Sequence, residues 1–133
     1  MAVESYDAHE PPNGLEWLGM GEEARLQLVI DYHTSIGDVG DNARTHCLLH
    51  VIVENQIAMG AHMEPVRERL RQLMAQGMGR HDALHAIGYV LIRHMNWIGM
   101  AKHKGDHDAR YFREIKRMTA QKWRAVHRAT HGE

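Results

Sequence analysis

Apolar side chains recur along most of this chain at intervals of three and four residues, which is the spacing of one face of an α-helix. In the stretch that ends at Ile36, for example, Leu26, Val29 and Ile30 keep this interval. The alternation of polar and apolar residues that is typical of a half-buried strand does not occur. The pattern therefore predicts an all-α fold.

Glycines, prolines and acidic first turns divide this pattern into separate helices. We predict core helices over residues 21–36, 43–59, 65–77 and 80–99, after an irregular arm of residues 1–14. Four helices of this kind are expected to pack as a helical bundle. An additional C-terminal helix is predicted within residues 106–130.

The C-terminal helix is basic and amphipathic, since the chain from Ala101 onward carries nine Lys/Arg against four Asp/Glu. We expect its apolar side to dock on its own bundle or on a second copy of the chain, which would make a homodimer. The aromatic residues interleaved with basic ones in proteins that bind single-stranded nucleic acid are sparse here. A nucleic-acid partner is therefore not expected.

Length and composition indicate one globular domain spanning residues 1–133, because 133 residues with 44% hydrophobic and 25% charged side chains can bury a core. The net charge of −1 gives no overall field for an anionic partner. The single cysteine, Cys47, excludes an internal disulfide and suits a reducing compartment. Neither a signal peptide nor an apolar stretch of about 20 residues is present. We therefore predict a cytoplasmic protein with no membrane partner.

Histidine is unusually frequent, with 12 residues, and four of these form two pairs at a spacing of one helical turn. The pairs are His46/His50 and His81/His85. At about 100° per residue, the two members of a pair lie about 40° apart around the helix. Both pairs lie in the middle of the apolar stripe of their helix, and the two segments align as His-x-x-Leu-His-x-Ile. The alignment predicts two similar helices that face each other.

Buried imidazoles at this spacing favour a metal site, because neighbouring side chains on one helix face can chelate one ion. Without a metal, each unmet buried polar group costs about 1–3 kcal/mol. Imidazole combined with a carboxylate suits zinc or iron rather than calcium or magnesium. We therefore predict a mononuclear or dinuclear transition-metal site in the bundle core. The predicted ligands are His46, His50, Glu54, His81 and His85, with His33 as a possible further ligand.

The sequence leaves two alternative functions open for this metal site. The segment from His81 to His85 is one change from the His-Glu-x-x-His motif of zinc hydrolases, since Asp82 stands at the glutamate position. In that interpretation His81, His85 and Glu54 bind zinc and Asp82 is the catalytic base. In the second alternative the metal is structural and belongs to an interaction module whose contact surface is the basic C-terminal helix. The sequence names no substrate or reaction.

The histidines and Glu54 also resemble those of a family of small bacterial proteins, domain-of-unknown-function family 1841. Its pattern is His-x3-His-x3-Glu-Gln, followed later by His-Glu-x-x-His. The matching residues here are His46, His50 and Glu54, and then His81 to His85. This chain differs in having Asn55 before Gln56, and Asp82 in place of glutamate. The resemblance spans residues 40–100 and implies a shared metal site without implying a reaction.

Overall fold

The computed structural model describes residues 3–40, 42–100 and 106–131, with side chains as far as residue 128. Over these residues the chain forms seven α-helices, one short 3-10 helix and no strand, so the predicted all-α fold is confirmed. The helices are α1 (Gly14–Leu18), α2 (Glu22–Ser35), α3 (Ala43–Ala58), the 3-10 helix (Gly60–Met63), α4 (Glu64–Ala75), α5 (Arg80–Gly99), α6 (His107–Arg117) and α7 (Ala120–His131).

Contacts divide the chain into two compact units, residues 1–64 and 65–133. Each unit has its own buried apolar side chains. The prediction of one domain over residues 1–133 stays a prediction. No helix in the described part of the chain is both long enough and apolar enough to cross a bilayer.

In the first unit, α1 and α2 both pack against α3. Trp17 of α1 is fully buried, and its indole N–H donates to Oδ1 of Asn55 at 2.9 Å. Arg25 of α2 donates to the same oxygen, also at 2.9 Å. One amide on α3 therefore ties both neighbouring helices to it.

The N-terminal arm has no helix between residues 3 and 13, and residues 1–2 lie outside the described part. Tyr6 and Ala8 of this arm are buried. The ring of Tyr6 lies 5.7 Å from that of Trp17 and 5.6 Å from that of Tyr32, between centroids. The arm thus belongs to the core of the first unit. Periodicity does not reveal this, because isolated buried residues in an irregular segment have no repeat.

In the second unit, α5 packs against α6. The apolar faces of α4, α5 and α6 contribute the core of this unit. Its buried side chains include Val66, Leu70, Leu73, Ala83, Leu84, Ala86, Ile87, Leu91, Tyr111 and Ile115. The bounds of α5 coincide with those predicted, because Gly79 and Gly99 leave little freedom in where this apolar period begins and ends.

The C-terminal segment differs from the single helix predicted within residues 106–130, since it forms two helices, α6 and α7. Met118 between them is extended, with ψ 131°. Thr119 then caps α7, because its hydroxyl accepts a backbone N–H of the first turn at 3.1 Å. Gln76, in the turn directly after α4, accepts the backbone N–H of Ala120 at 2.8 Å. A contact from a distant segment therefore helps to interrupt a stretch whose own sequence favours one helix.

Gly88 offers a direct test of the α5 interior, where glycine weakens a helix. A methyl group added there would meet no atom within 4 Å. We expect Gly88→Ala to raise the free energy of unfolding by about 0.5–1 kcal/mol, measured by urea denaturation. Gly77, between α4 and α5, has φ +98°, a backbone conformation that alanine adopts only with strain. Gly77→Ala is therefore expected to lower the free energy of unfolding by about 1–2 kcal/mol. A lower unfolding midpoint for Gly88→Ala would contradict this account of α5.

Candidate metal centre

Three histidines come together in the first unit: His33 on α2, and His46 and His50 on α3. Their ring centroids lie 5.0 Å apart for His33–His46, 4.6 Å for His33–His50 and 4.9 Å for His46–His50. His33 and His50 are buried, and His46 is half-buried. The packing of α2 on α3 therefore brings His33 to the predicted pair.

A hydrogen bond to the backbone orients the ring of His33. Its Nδ1 lies 2.8 Å from the carbonyl oxygen of Val29, one turn earlier in α2. Because a carbonyl oxygen accepts only, Nδ1 must carry a hydrogen, and in the neutral ring Nε2 then has the lone pair. Metal-binding histidines commonly donate their other ring N–H in this way, which sets the tautomer and the ring orientation.

The surroundings of His46 favour its neutral form. Burial and the nearby His33 lower the pKa of His46 below its ordinary value. Asp38, whose Oδ2 lies 3.9 Å from Nε2 of His46, acts in the opposite direction. Neutral imidazole is the form that binds metals, so these surroundings suit a ligand.

The second histidine pair, His81 and His85, lies on α5 in the second unit. Its ring centroids are 4.4 Å apart, and both side chains are half-buried. Each of the two histidines offers one ring nitrogen that could bind a metal ion. Of the residues predicted as metal ligands, three histidines lie together in the first unit and two in the second.

The spacing of the three nitrogens in the first unit can be compared with that of a metal site. These nitrogens lie within 4.8 Å of one another. Zinc binds imidazole nitrogen at about 2.1 Å in tetrahedral geometry, so two nitrogens on one zinc ion are about 3.4 Å apart. The three donors are therefore near the spacing that one ion requires, and rotations of the side chains would have to bring them onto it.

Glu54 lies one turn beyond His50 on α3 but is not part of that group of donors. Its carboxylate is fully buried, and Oε2 accepts a hydrogen bond from the hydroxyl of Tyr6 at 2.5 Å. The ring of Tyr6 also lies 6.4 Å from that of His50, between centroids. Glu54 as a direct ligand stays a prediction. Tyr6 was missed by the sequence analysis, because nothing in its local sequence links it to α3.

Asp82 is exposed on α5, and its Oδ1 accepts the indole N–H of Trp123 at 3.0 Å. With Trp123 and basic residues of α7 it lines a cavity of about 240 Å³. The carboxylate is therefore engaged by α7, and no contact of Asp82 in the described chain favours water activation. Its role as a catalytic base stays a prediction.

Cys47 is adjacent in sequence to His46 but is not in the group of metal donors. Its side chain is buried, and burial, followed by the charge of Asp38, raises the pKa of the thiol. A thiol that stays protonated is a poor nucleophile and a poor metal ligand. Cys47 therefore fills space in the first unit.

The resemblance to domain-of-unknown-function family 1841 rests on the residues quoted above and stays a prediction. No protein-family model, curated protein or solved structure matches this chain.

Proposed function

We propose that this protein binds one transition-metal ion through its clustered histidines. His33, His46 and His50 are the ligands of this proposal, and His81 and His85 as ligands stay a prediction from the sequence. The observation that carries the proposal is the group of three histidines in the first unit, each offering one ring nitrogen to an ion.

Charge repulsion within the first unit supports a metal rather than a cationic cluster. Two imidazolium charges at about 4–5 Å would repel each other by about 3–4 kcal/mol near a protein surface, and by more where they are buried. Burial and the nearby His33 lower the pKa of His46, which favours the neutral form of that ring. A neutral imidazole whose Nδ1 donates to the backbone, as that of His33 does, offers the lone pair of Nε2 to a cation.

The donor set favours zinc or iron(II) and one ion rather than two. Imidazole nitrogens suit zinc, iron, nickel and copper, whereas calcium and magnesium prefer oxygen. Dinuclear sites in helical bundles depend on several carboxylates, and the described group of donors includes none. Three imidazole nitrogens match the three protein ligands of an open zinc site, and iron(II) accepts the same donors.

Glu54 is proposed to balance the charge of the ion. Its buried carboxylate follows His50 by one turn and is held by the hydroxyl of Tyr6. Neutral imidazoles leave both positive charges of a divalent ion uncompensated, so a nearby anion lowers the cost of burying it.

Metal analysis of the untagged protein tests the proposal. We expect about one zinc or iron ion per chain, and uptake of the same amount when metal-free protein is titrated with zinc or iron(II). Removing the metal with a chelator should lower the melting temperature. With free metal at 100 times its dissociation constant, binding contributes about 2.7 kcal/mol to stability. Protein that contains no metal and takes up none would refute the proposal, and two ions per chain would refute a mononuclear site.

A further inference from the structure

A second concave feature lies wholly within the second unit, where α5, α6 and the start of α7 enclose a cavity of about 190 Å³. Four basic side chains and one acidic side chain line it: Arg93, Arg110, Arg117, Lys122 and Glu114. This lining carries an excess positive charge of about three, although the chain as a whole is close to neutral. The sequence analysis placed Arg110, Arg117 and Lys122 in one basic C-terminal helix, but it did not place Arg93 beside them, because Arg93 lies on a separate helix.

Two of the four basic side chains contact a carboxylate or a backbone carbonyl close by in the sequence. Arg117 lies 3.3 Å from the carboxylate of Glu114, one turn earlier in α6. Lys122 donates from Nζ to the backbone carbonyl of Arg117 at 2.9 Å. These contacts leave Arg93 and Arg110 as the cations available to a ligand.

Arg93 and Arg110 contact neutral groups. Arg93 approaches Tyr89, with 3.4 Å from Nη1 to the hydroxyl and 5.6 Å from the guanidinium to the ring centroid. Arg110 donates from Nη1 to Nδ1 of His94 at 2.9 Å and lies 4.1 Å above the ring of Trp97. Among the described residues neither guanidinium forms an ion pair with a carboxylate. Two guanidinium groups that line one cavity without a carboxylate partner can bind an anion from outside, since each offers a planar fork of N–H donors.

His94 gives Arg110 a defined position. Its side chain is 6% exposed and stacks on Trp97 and Tyr111, at centroid distances of 5.9 and 5.2 Å. Burial, then the charge of Arg110 and that of His107, lower the pKa of His94, which keeps it neutral and able to accept the N–H of Arg110. A freely solvated arginine has no such support, so Arg110 is held in place before a ligand arrives.

We propose that this cavity binds a small phosphate monoester, with its phosphate oxygens between Arg93 and Arg110. A phosphate dianion offers enough oxygens for two guanidinium forks, whereas a carboxylate offers two oxygens and one charge. The cavity exceeds the volume of a phosphate group, and its wall includes the buried apolar side chains of Val90 and Met118. A short organic substituent on the phosphate can therefore pack beside the anion.

Titration with inorganic phosphate and with acetate, at constant ionic strength, tests this site. The measurement is the NMR signal of the arginine Nε–Hε groups in the protein as purified. We expect saturable shifts of Arg93 and Arg110 with phosphate, and much weaker ones with acetate. Arg110→Gln and Arg93→Gln should each weaken phosphate binding roughly tenfold, since a hydrogen bond to a charged group contributes about 1.5–3 kcal/mol.

Arg113→Gln is the matched control, because Arg113 is an exposed arginine of α6 that does not line the cavity. It should bind phosphate with unchanged affinity. Shifts that do not saturate, or equal losses in Arg113→Gln and Arg110→Gln, would overturn the proposal. Phosphate binding with unchanged affinity in Arg110→Gln would also overturn it, because the anion would then bind elsewhere, for example on a metal at the histidines. Equal affinities for acetate and phosphate would refute a phosphate ligand.

Discussion

Replacing His50 with alanine is expected to lower the affinity for the bound metal roughly 100-fold or more. Loss of a group that merely orients a ligand already costs about 10- to 100-fold, so loss of a ligand should cost at least as much. His50 is buried, and its ring is within 5 Å of both His33 and His46. Titration of metal-free protein with zinc or iron(II), monitored by calorimetry, measures this loss.

Controls for His50→Ala separate loss of a ligand from loss of the fold. His62→Ala removes an exposed histidine from the 3-10 helix of the same unit and should leave the affinity unchanged. His33→Ala should match His50→Ala, because the two rings lie 4.6 Å apart. Circular dichroism of each metal-free variant should show the helical content of the parent protein. Full metal affinity in folded His50→Ala would remove this histidine from the site.

Trp17→Ala is expected to cost about 3–5 kcal/mol of stability, the largest effect on folding that we predict. The indole is fully buried against α3, packs against Tyr6 and hydrogen-bonds to Asn55. Its removal leaves a cavity and also loosens the arm that carries Tyr6. Since domains of this size are stable by only about 5–15 kcal/mol, the loss is a large fraction of the total.

Urea denaturation of metal-free protein measures the effect of Trp17→Ala. Trp17→Phe keeps most of the apolar area and should cost less, chiefly about 1 kcal/mol for the lost hydrogen bond plus part of the cavity. Leu15→Ala is the matched control in α1, because Leu15 is 88% exposed and its replacement should change stability by at most about 0.5 kcal/mol. A loss below about 1 kcal/mol for Trp17→Ala would mean that α1 contributes little to this core.

The helical class and most helix bounds follow from local sequence. Residues 80–99 carry an apolar period that follows Gly79 and ends at Gly99, and α5 begins and ends at residues 80 and 99. The C-terminal segment shows the limit of this reasoning, because local propensity favours one helix there. Arg69 of α4 and Gln76, directly after α4, hydrogen-bond to the backbone on either side of Thr119, which supports the break between α6 and α7. Periodicity in the segment itself contains no information about those partners.

The candidate metal centre likewise combines features that follow from local sequence with features that depend on helix packing. Sequence alone identified two histidine pairs one turn apart in apolar stripes, because i and i+4 neighbours share a helix face whatever surrounds the helix. Tertiary structure decided that His33 joins His46 and His50, since only the packing of α2 on α3 brings a third ring within 5 Å. It also decided that a buried tyrosine from the N-terminal arm holds Glu54, 48 residues away. Contacts at such separation depend on how helices pack, and no local period records that.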